Sequence, residues 1–413
     1  MIGSPDVIIV GGGVIGCGVA YELAKRSVQV ALIDKTLPGR ATSASAGGLW
    51  PVGESVGLGC GVIYHNTMAA QHESDKNENA VENVSGLVIL PEIFRKFLQN
   101  SNRLFPELSQ ELFELTGVDI EYEPGAGLLY LIYQEQDFKL TDQLKQLLPN
   151  MDGLTVLSPE ETWKIEPHLT RDLIGAVLLP GEYQVNPMLL AEAFKRGAIE
   201  LGATCHHDVH VDGLERRGDR VTGVNIDGQQ VFCGAVVNAA GCWSARLAAT
   251  AELSLPVFPV RGQIVLTESL PHTLNACLST NGCYLVQKAH GEVLIGSTTE
   301  NVGFDTSVTV EAMQSLVEGS VRAVPLLKHV GIKRIWSGLR PGTPDELPVL
   351  GPVDEVSGYF NATGGFRTGI VASPLTARVV AQCVLSEETE FERTPFLAAR
   401  FGNQVGSPIQ PGK

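Results

Sequence analysis

The chain has 413 residues, with 30 Lys and Arg against 46 Asp and Glu and a net charge of −16. That acidic balance argues against a nucleic-acid partner, because phosphate binding depends on clustered Lys and Arg. A composition of 44% hydrophobic and 18% charged residues excludes a disordered chain, no apolar run approaches the ~20 residues that span a bilayer, and at ~150 residues per domain the length suggests two or three domains.

The first apolar run, Asp6 to Val10, is short, β-branched and bounded by glycines. It reads as a buried parallel strand. Gly11-Gly12-Gly13-Val14-Ile15-Gly16 follows. From Ile15 the apolar residues Val19, Ala20 and Leu23 recur at helical spacing, with Glu22, Lys25 and Arg26 facing away. A second strand, Val28 to Ile33, ends at Asp34. The stretch from Ala41 to Gly61 is rich in Gly, Ser and Ala and reads as loop, as does the polar stretch 71–86. Residues 91–117 read as helical, with Ile93, Phe97, Leu104, Leu108 and Leu112 as core positions. Short strands alternate with turns over 203–240, and 256–300 is strand-rich. A strand at Phe360, a Gly-rich turn at 364–365 and the apolar run Val371 to Val380 close the pattern.

Gly11-x-Gly13-x-x-Gly16 sits between a strand and a helix, the context that gives this motif its meaning. The first glycine permits the tight turn, the second lets backbone approach a pyrophosphate, and the third lets helix pack on strand. The helix N-terminus favours the negative charge. Asp34 is placed for a ribose diol and disfavours a 2′-phosphate. The alternative is a glycine turn with no ligand. The motif alone does not separate NAD from FAD. Two further glycine turns, at Ala240-Gly241 after the apolar strand from Ala235 and at Gly364-Gly365, give the three-part layout of an FAD domain.

With these motifs in place the chain resembles the amine-oxidising flavoenzymes that include glycine oxidase, D-amino-acid oxidase and sarcosine oxidase. The resemblance spans residues 5–385. It rests on Gly11 to Gly16, Thr42 to Gly48, Val237 to Ser244, Trp336 to Asp345 and Phe366 to Ile370. Ala44 to Val62, Ile295 to Glu300, Pro344 to Pro348 and Pro395 to Gly402 are similar to the flavin subunit of cyanide-forming glycine dehydrogenases. Opine and D-hydroxyproline dehydrogenases have related subunits. The resemblance implies an α/β fold: a Rossmann-type, glutathione-reductase-like FAD-binding domain from 1–88, 150–252 and 336–400. An α+β substrate domain on a mixed or antiparallel sheet would come from 89–149 and 253–335.

The resemblance also assigns residues. FAD contacts would come from Gly11, Gly13, Val14, Ile15, Gly16, Asp34, Lys35, Thr42, Ser43, Gly47, Gly48, Leu49, Val209, Ala240, Gly241, Gly365, Phe366, Arg367, Thr368, Gly369 and Ile370, with backbone near Val209 meeting the adenine. Gly365 stands where relatives commonly have His. Sarcosine oxidases attach flavin through a cysteine in the region Trp336 to Gly351, where this chain has none, so the FAD is expected to be non-covalent. Amine oxidation moves a hydride from the substrate Cα to flavin N5 and leaves an imine, so orientation is the main demand on the protein. A guanidinium fork suits a substrate carboxylate. Arg340, in a Gly/Pro-rich loop, is the implied clamp; the other reading is an ion pair with Asp345 or Glu346. Arg367 is either a second positive group or a structural residue. Tyr284 is either a hydrogen-bond donor to substrate or a strand-core aromatic.

His206, Asp208 and His210 would share one face of a strand, but an exposed strand edge explains them without a metal, and no metal is expected. None of the eight cysteines forms a C-x-x-C pair, so no iron–sulfur or zinc site is expected. Scattered thiols and the lack of a signal peptide suit a cytoplasmic protein, with peripheral attachment to the inner membrane through partners.

The implied activity is oxidation of glycine or a close analogue, as the substrate-oxidising subunit of a cyanide-forming glycine dehydrogenase. Its partners would be a small iron–sulfur chain and a second flavin chain. The alternatives are a stand-alone glycine or D-amino-acid oxidase releasing H2O2, the flavin subunit of an opine or D-hydroxyproline dehydrogenase, and a flavin-bearing relay subunit with no substrate of its own.

Overall fold

The computed structural model describes residues 3–58, 90–135, 138, 141–142, 145–146 and 154–402. The βαβ opening is present as β1 (Val7–Val10), α1 (Val14–Lys25) and β2 (Val30–Ile33), with both strands fully buried. The Gly/Ser/Ala-rich stretch is not all loop. It carries β3 (Gly48–Leu49) and α2 (Pro51–Ser55), with a proline in the first turn of α2, where its missing N–H costs nothing. Residues 59–61 of that stretch, and all of 71–86, lie outside the described residues.

The helical stretch expected over 91–117 is two helices, α3 (Glu92–Asn102) and α4 (Phe105–Thr116). Pro106 breaks them. It has no N–H to donate, and its ring would meet the carbonyl four residues back, at Asn102. Gly117, at φ 70°, ends α4 in the left-handed region. Phe97, Leu108 and Leu112 are buried as expected, while Ile93 and Leu104 are half-buried and Phe94 and Leu98 take the core instead.

β4 (Leu128–Ile132), β5 (Thr155–Leu157), α5 (Pro159–Ile165), β6 (Gly175–Leu179), β7 (Tyr183–Gln184) and α6 (Pro187–Glu200) follow. The short strands of 203–240 are β8 (Thr204–His206), β9 (Gly213–Arg217), β10 (Arg220–Ile226), β11 (Gln229–Phe232) and β12 (Ala235–Asn238), then α7 (Ser244–Ala249). The strand-rich stretch is β13 (Phe258–Thr267), β14 (Cys277–Ser279), β15 (Tyr284–Gln287) and β16 (Val293–Gly296). The last elements are α8 (Val310–Ala323), β17 (Ile332–Gly342), β18 (Val349–Val353), β19 (Val356–Thr363) and α9 (Gly369–Val384).

Two sheets organise the molecule. The first runs β11-β10-β19-β12-β1-β2-β8, with β18 beside β19 and β9 beside β10. From β19 to β8 its pairs are parallel, and α1 packs against α6 and α9 over it. The order brings together the ends of β1, β12 and β19, the strands that lead into the three glycine turns. Chain distance explains why composition could not show this: Val10 pairs with Asn238, and Asn238 with Asn361.

The second sheet runs β17-β13-β16-β15-β14-β4-β6-β5 and is antiparallel except for β14 on β4. Two expected domain limits differ from its membership. β6, inside the 150–252 stretch assigned to the nucleotide half, pairs with β4 in this second sheet, and β5 pairs with β6. β17 crosses the limit at 335/336 and pairs with β13 from Ile332 to Gly342. Arg340 therefore stands on a strand and not in a loop. Pro341 is tolerated because β17 is the sheet edge.

Candidate active site

The three glycine turns converge on one cavity of about 570 Å3, within the ~300–1,000 Å3 range of ligand pockets. Gly11, at φ 113°, has Ala239 backbone where a Cβ would stand, and a Cβ on Gly16 would strike the Gly11 carbonyl. These glycines let β1, β12 and the start of α1 approach closely. α1 begins at Gly13 with no side-chain cap and no acid in its first turn. A helix N-terminus open in this way suits a phosphate. Asp34 Oδ1 accepts from the Gly12 N–H at 2.7 Å, and Arg40 pairs with Asp34 Oδ2 at 2.9 Å while donating to the Gly12 carbonyl at 2.7 Å. Thr42 Oγ1 accepts from the Val14 N–H at 3.1 Å.

Most residues expected at the cofactor lie on this cavity wall: Gly11, Gly13, Val14, Ile15, Asp34, Lys35, Thr42, Gly48, Val209, Ala240, Gly241, Gly365, Phe366, Arg367, Gly369 and Ile370. Gly16, Ser43, Gly47, Leu49 and Thr368 do not line it. Gly16 backs onto Gly11, and Gly47 meets the Val185 carbonyl. Ser43 donates to the Arg40 carbonyl, and Thr368 to the Gly365 carbonyl. Leu49 is fully buried in the core. The Val209 N–H donates to the Asp34 carbonyl at 3.0 Å. At Gly365 a Cβ would lie 3.0 Å from the Gly369 Cα, so this glycine lets the turn approach the start of α9 closely.

The two arginines meet different fates. Arg367 is buried and pairs with Glu54 at 2.7 Å and with Glu346. Its charge is spent on two buried carboxylates, which corrects the expectation of a second positive group for substrate. Arg340 also lines the cavity, but its guanidinium donates to the Thr298 carbonyl at 3.1 Å and to Ser297 Oγ. Both acceptors are neutral. The acids considered as its partners are engaged elsewhere: Asp345 pairs with Arg400 at 2.7 Å, and Glu346 with Arg367. Among the described residues no carboxylate forms an ion pair with Arg340, so its positive charge remains available to a ligand.

Tyr284 is a wall aromatic, 4% exposed. It pairs across β15–β16 with Gly296, where a Cβ would strike its hydroxyl. Trp50 meets Tyr284 edge-on, ring centres 5.4 Å apart at 77°. Both rings join a buried cluster with Val52, Leu128 and Leu179. Behind them Glu182 is buried, accepting from the Val52 N–H at 2.6 Å and the Gly53 N–H at 3.0 Å. Burial pushes its carboxyl up to about 8, against the pull of those two N–H groups. Lys288, which burial pushes down to about 8, donates to the Ala46 carbonyl and, at 2.8 Å, to Gln184, tying the 46–48 segment to β7.

Sequence reasoning missed Arg40, Trp50, Glu54 and Trp243 on this wall. Trp50 and Glu54 stand within a run already noted for its resemblance, but nothing in their spacing marks them as lining. Cys17, Cys242, Cys277, Cys283 and Cys383 are buried and free, Cys205 and Cys233 half-buried and free; Cys60 lies outside the described residues. Burial pushes the Cys17, Cys242 and Cys277 thiols up to about 12, which suits packing and not nucleophilic chemistry. Among the described residues no group of His, Cys, Asp and Glu is placed to hold a metal, and no helix is long and apolar enough to cross a membrane.

The cradle fits FAD. The approach at Gly11, the open α1 N-terminus and the acid at the end of β2 suit its adenosine diphosphate half, and the cavity continues to Arg340 and Tyr284. The comparisons agree. The chain is 45% identical over 406 residues to hydrogen cyanide synthase subunit HcnC of Pseudomonas protegens, covering 97% of each. It is 35% identical over 408 residues to the glycine oxidase of Geobacillus kaustophilus, covering 97% of this chain and 98% of that one. The crystal structure of glycine oxidase from Geobacillus kaustophilus matches with a TM-score of 0.81 at 32% identity, over 97% of this chain and 99% of that chain. Residues 6–383 match the family model described as DAO, FAD dependent oxidoreductase, and the chain belongs to that family.

Proposed function

We propose that the protein oxidises glycine or a close analogue, as the substrate-oxidising flavin subunit of a cyanide-forming glycine dehydrogenase. The observation that carries this reading is the Arg340 guanidinium, held by neutral oxygens on the wall of the cofactor cavity. Likeness to the hydrogen cyanide synthase subunit supports the substrate and the product.

When bound, non-covalent FAD supplies the two-electron acceptor for the Cα–H bond. The protein's part is orientation. Arg340 takes the substrate carboxylate on its fork, fixing Cα relative to the wall made by Tyr284 and Trp50. The Arg367–Glu54–Glu346 cluster holds α2 and the segments around Glu346 and Arg367 together. The overall change from glycine to HCN and CO2 releases four protons and four electrons, two two-electron oxidations at one site. The chain has no C-x-x-C motif to carry electrons away, which supports partners, a small iron–sulfur chain and a second flavin chain, as the exit. On the domain organisation, the first sheet with α1, α6 and α9 forms the cofactor half, and the second sheet the substrate half.

The test incubates the purified chain with glycine, first without oxygen and then with an electron-accepting dye. Glycine should bleach the flavin, and cyanide should accumulate as the dye is reduced. Stoichiometric peroxide with no cyanide would replace this reading by that of a stand-alone oxidase, which the likeness to glycine oxidase supports. Loss of bleaching in Arg340→Ala separates either enzyme from a relay subunit.

A further inference from the structure

We propose that Trp50 sets the size limit of the substrate: its indole, backed by Tyr284, walls off the space that a substituent on the substrate Cα would need. The inference rests on the amino-acid reading of the site and deepens it, because it names the residue that would make an unsubstituted Cα the preferred one.

The wall can be followed residue by residue from the carboxylate end. Arg340 donates to Ser297 Oγ and to the Thr298 carbonyl. Ser297 follows Gly296, and Gly296 faces Tyr284 across the β15–β16 pair so closely that a Cβ there would strike the tyrosine hydroxyl. Tyr284 in turn meets Trp50 edge-on at 5.4 Å. Arg340, Tyr284 and Trp50 all line the same cavity. A carboxylate on the Arg340 fork therefore has two aromatic rings in sequence along the adjoining wall.

Trp50 cannot readily swing aside. It is 2% exposed. Its ring lies over Gly48, where a Cβ would stand 2.7–2.9 Å from three ring atoms, so the glycine makes room for the indole. The indole belongs to a buried cluster that includes Val52, Val56, Leu128 and Leu179. The backbone that carries it is fixed as well: the Glu54 N–H donates to the Trp50 carbonyl at 3.0 Å, and Glu182 takes the next two N–H groups. A large ring held in this way rejects an added methyl by steric exclusion, because a packed wall yields little.

The holoprotein and its Trp50→Leu and Trp50→Ala variants test this with ligands that are not oxidised. Propionate is glycine with a methyl in place of its amine, and isobutyrate adds a further methyl at the same carbon, as alanine does to glycine. Dissociation constants come from calorimetry and from the shift of the flavin's visible spectrum. The wild type should favour propionate, and the variants should move the propionate-to-isobutyrate ratio toward isobutyrate by ~10- to 200-fold, the range one methylene commands in a shaped apolar pocket. The kcat/KM ratio of alanine to glycine, for either enantiomer, should rise in parallel. A ratio unchanged in a variant that folds and keeps its flavin overturns the proposal, and so does failure of the wild type to bind either carboxylate. If no form of the protein oxidises glycine, the amino-acid reading falls while the carboxylate ratio still decides the role of Trp50. Trp50→Phe keeps a ring, and the same ratio is read there should the smaller residues lose the flavin.

Discussion

Replacing Arg367 by Met removes the one cation between two buried carboxylates while keeping an apolar stem of similar length. Glu54 lies 2.7 Å from the guanidinium and Glu346 closer still, with side-chain exposures of 2% for Arg367, 5% for Glu54 and 9% for Glu346. Each charge-assisted bond is worth ~1.5–3 kcal/mol, so losing both costs ~3–6 kcal/mol. Breaking a buried ion pair by deleting one partner typically costs ~3–5 kcal/mol, and the two ranges overlap at ~3–5 kcal/mol. The measurement is urea unfolding of the flavin-loaded protein, followed by flavin fluorescence and by circular dichroism. A second variant, Arg367→Met with Glu346→Gln, removes one of the stranded charges and should recover part of the loss. If Arg367→Met unfolds with the wild-type midpoint and slope yet no longer binds acetate, then Arg367 is a substrate clamp and its assignment as a strut is wrong.

Arg340→Lys should keep the charge but lose the fork, and Arg340→Ala should lose both. Acetate affinity and glycine turnover should fall by ~10-fold or more in each, with the unfolding midpoint near that of wild type, since no ion pair of the fold is removed; a large loss of stability would contradict this. Asp34→Ala should weaken FAD binding by ~10- to 100-fold in a fluorescence titration, because the charged acceptor of the Gly12 N–H and the partner of Arg40 disappear together. Acid precipitation should release the yellow cofactor into solution, and a yellow pellet would establish a covalent link. Glu182 carries a prediction about pH. Its carboxyl is raised from 4.5 to about 8 in the fold, so the folded state holds a proton that the unfolded state has released. This group therefore lowers stability as pH rises from about 4.5 to about 8. Glu182→Gln should flatten that slope in unfolding midpoints taken across the same window; Glu166, raised to about 7, acts with the same sign.

What could be read from sequence was local. β1, the glycine turn, α1, β2 and Asp34 lie within 34 residues, and each obeys a short-range rule: β-branched burial, freedom of φ at Gly11, helical spacing, an acid at a strand end. Arg340 was implied as a carboxylate clamp by the family resemblance, and its strand was taken for a loop. Gly and Pro weaken strand signals, and only the pairing of Pro341 with Pro259 and of Arg340 with Val260 holds that segment extended. The role of Arg367 was unreadable because its partners are 313 and 21 residues away. The same holds for Trp50, whose neighbour Tyr284 stands far along the chain on β15 of the second sheet, and for β5 and β6, whose membership in the second sheet depends on β4.

The two arginines show how one fold separates structure from binding with the same side chain. Taking a guanidinium out of water is costly unless its donors find acceptors. At Arg367 the acceptors are carboxylates, so the charge is cancelled within the protein and a ligand anion meets no net attraction there. At Arg340 they are a carbonyl and a hydroxyl, which satisfy hydrogen bonds but leave the positive charge in place. On the proposed function, a substrate carboxylate supplies the counter-charge that the described residues withhold, and it does so in an acidic molecule whose net charge of −16 disfavours anions elsewhere. Selectivity for a monocarboxylate follows from that placement. An amine without an acid group, such as methylamine, leaves Arg340 uncompensated and has nothing to fix its carbon against Tyr284. A second carboxylate finds Glu54 on the cavity wall beside Trp50. On the two proposals together, the wall that limits size and the charge that fixes orientation act on the same small ligand from adjoining sides.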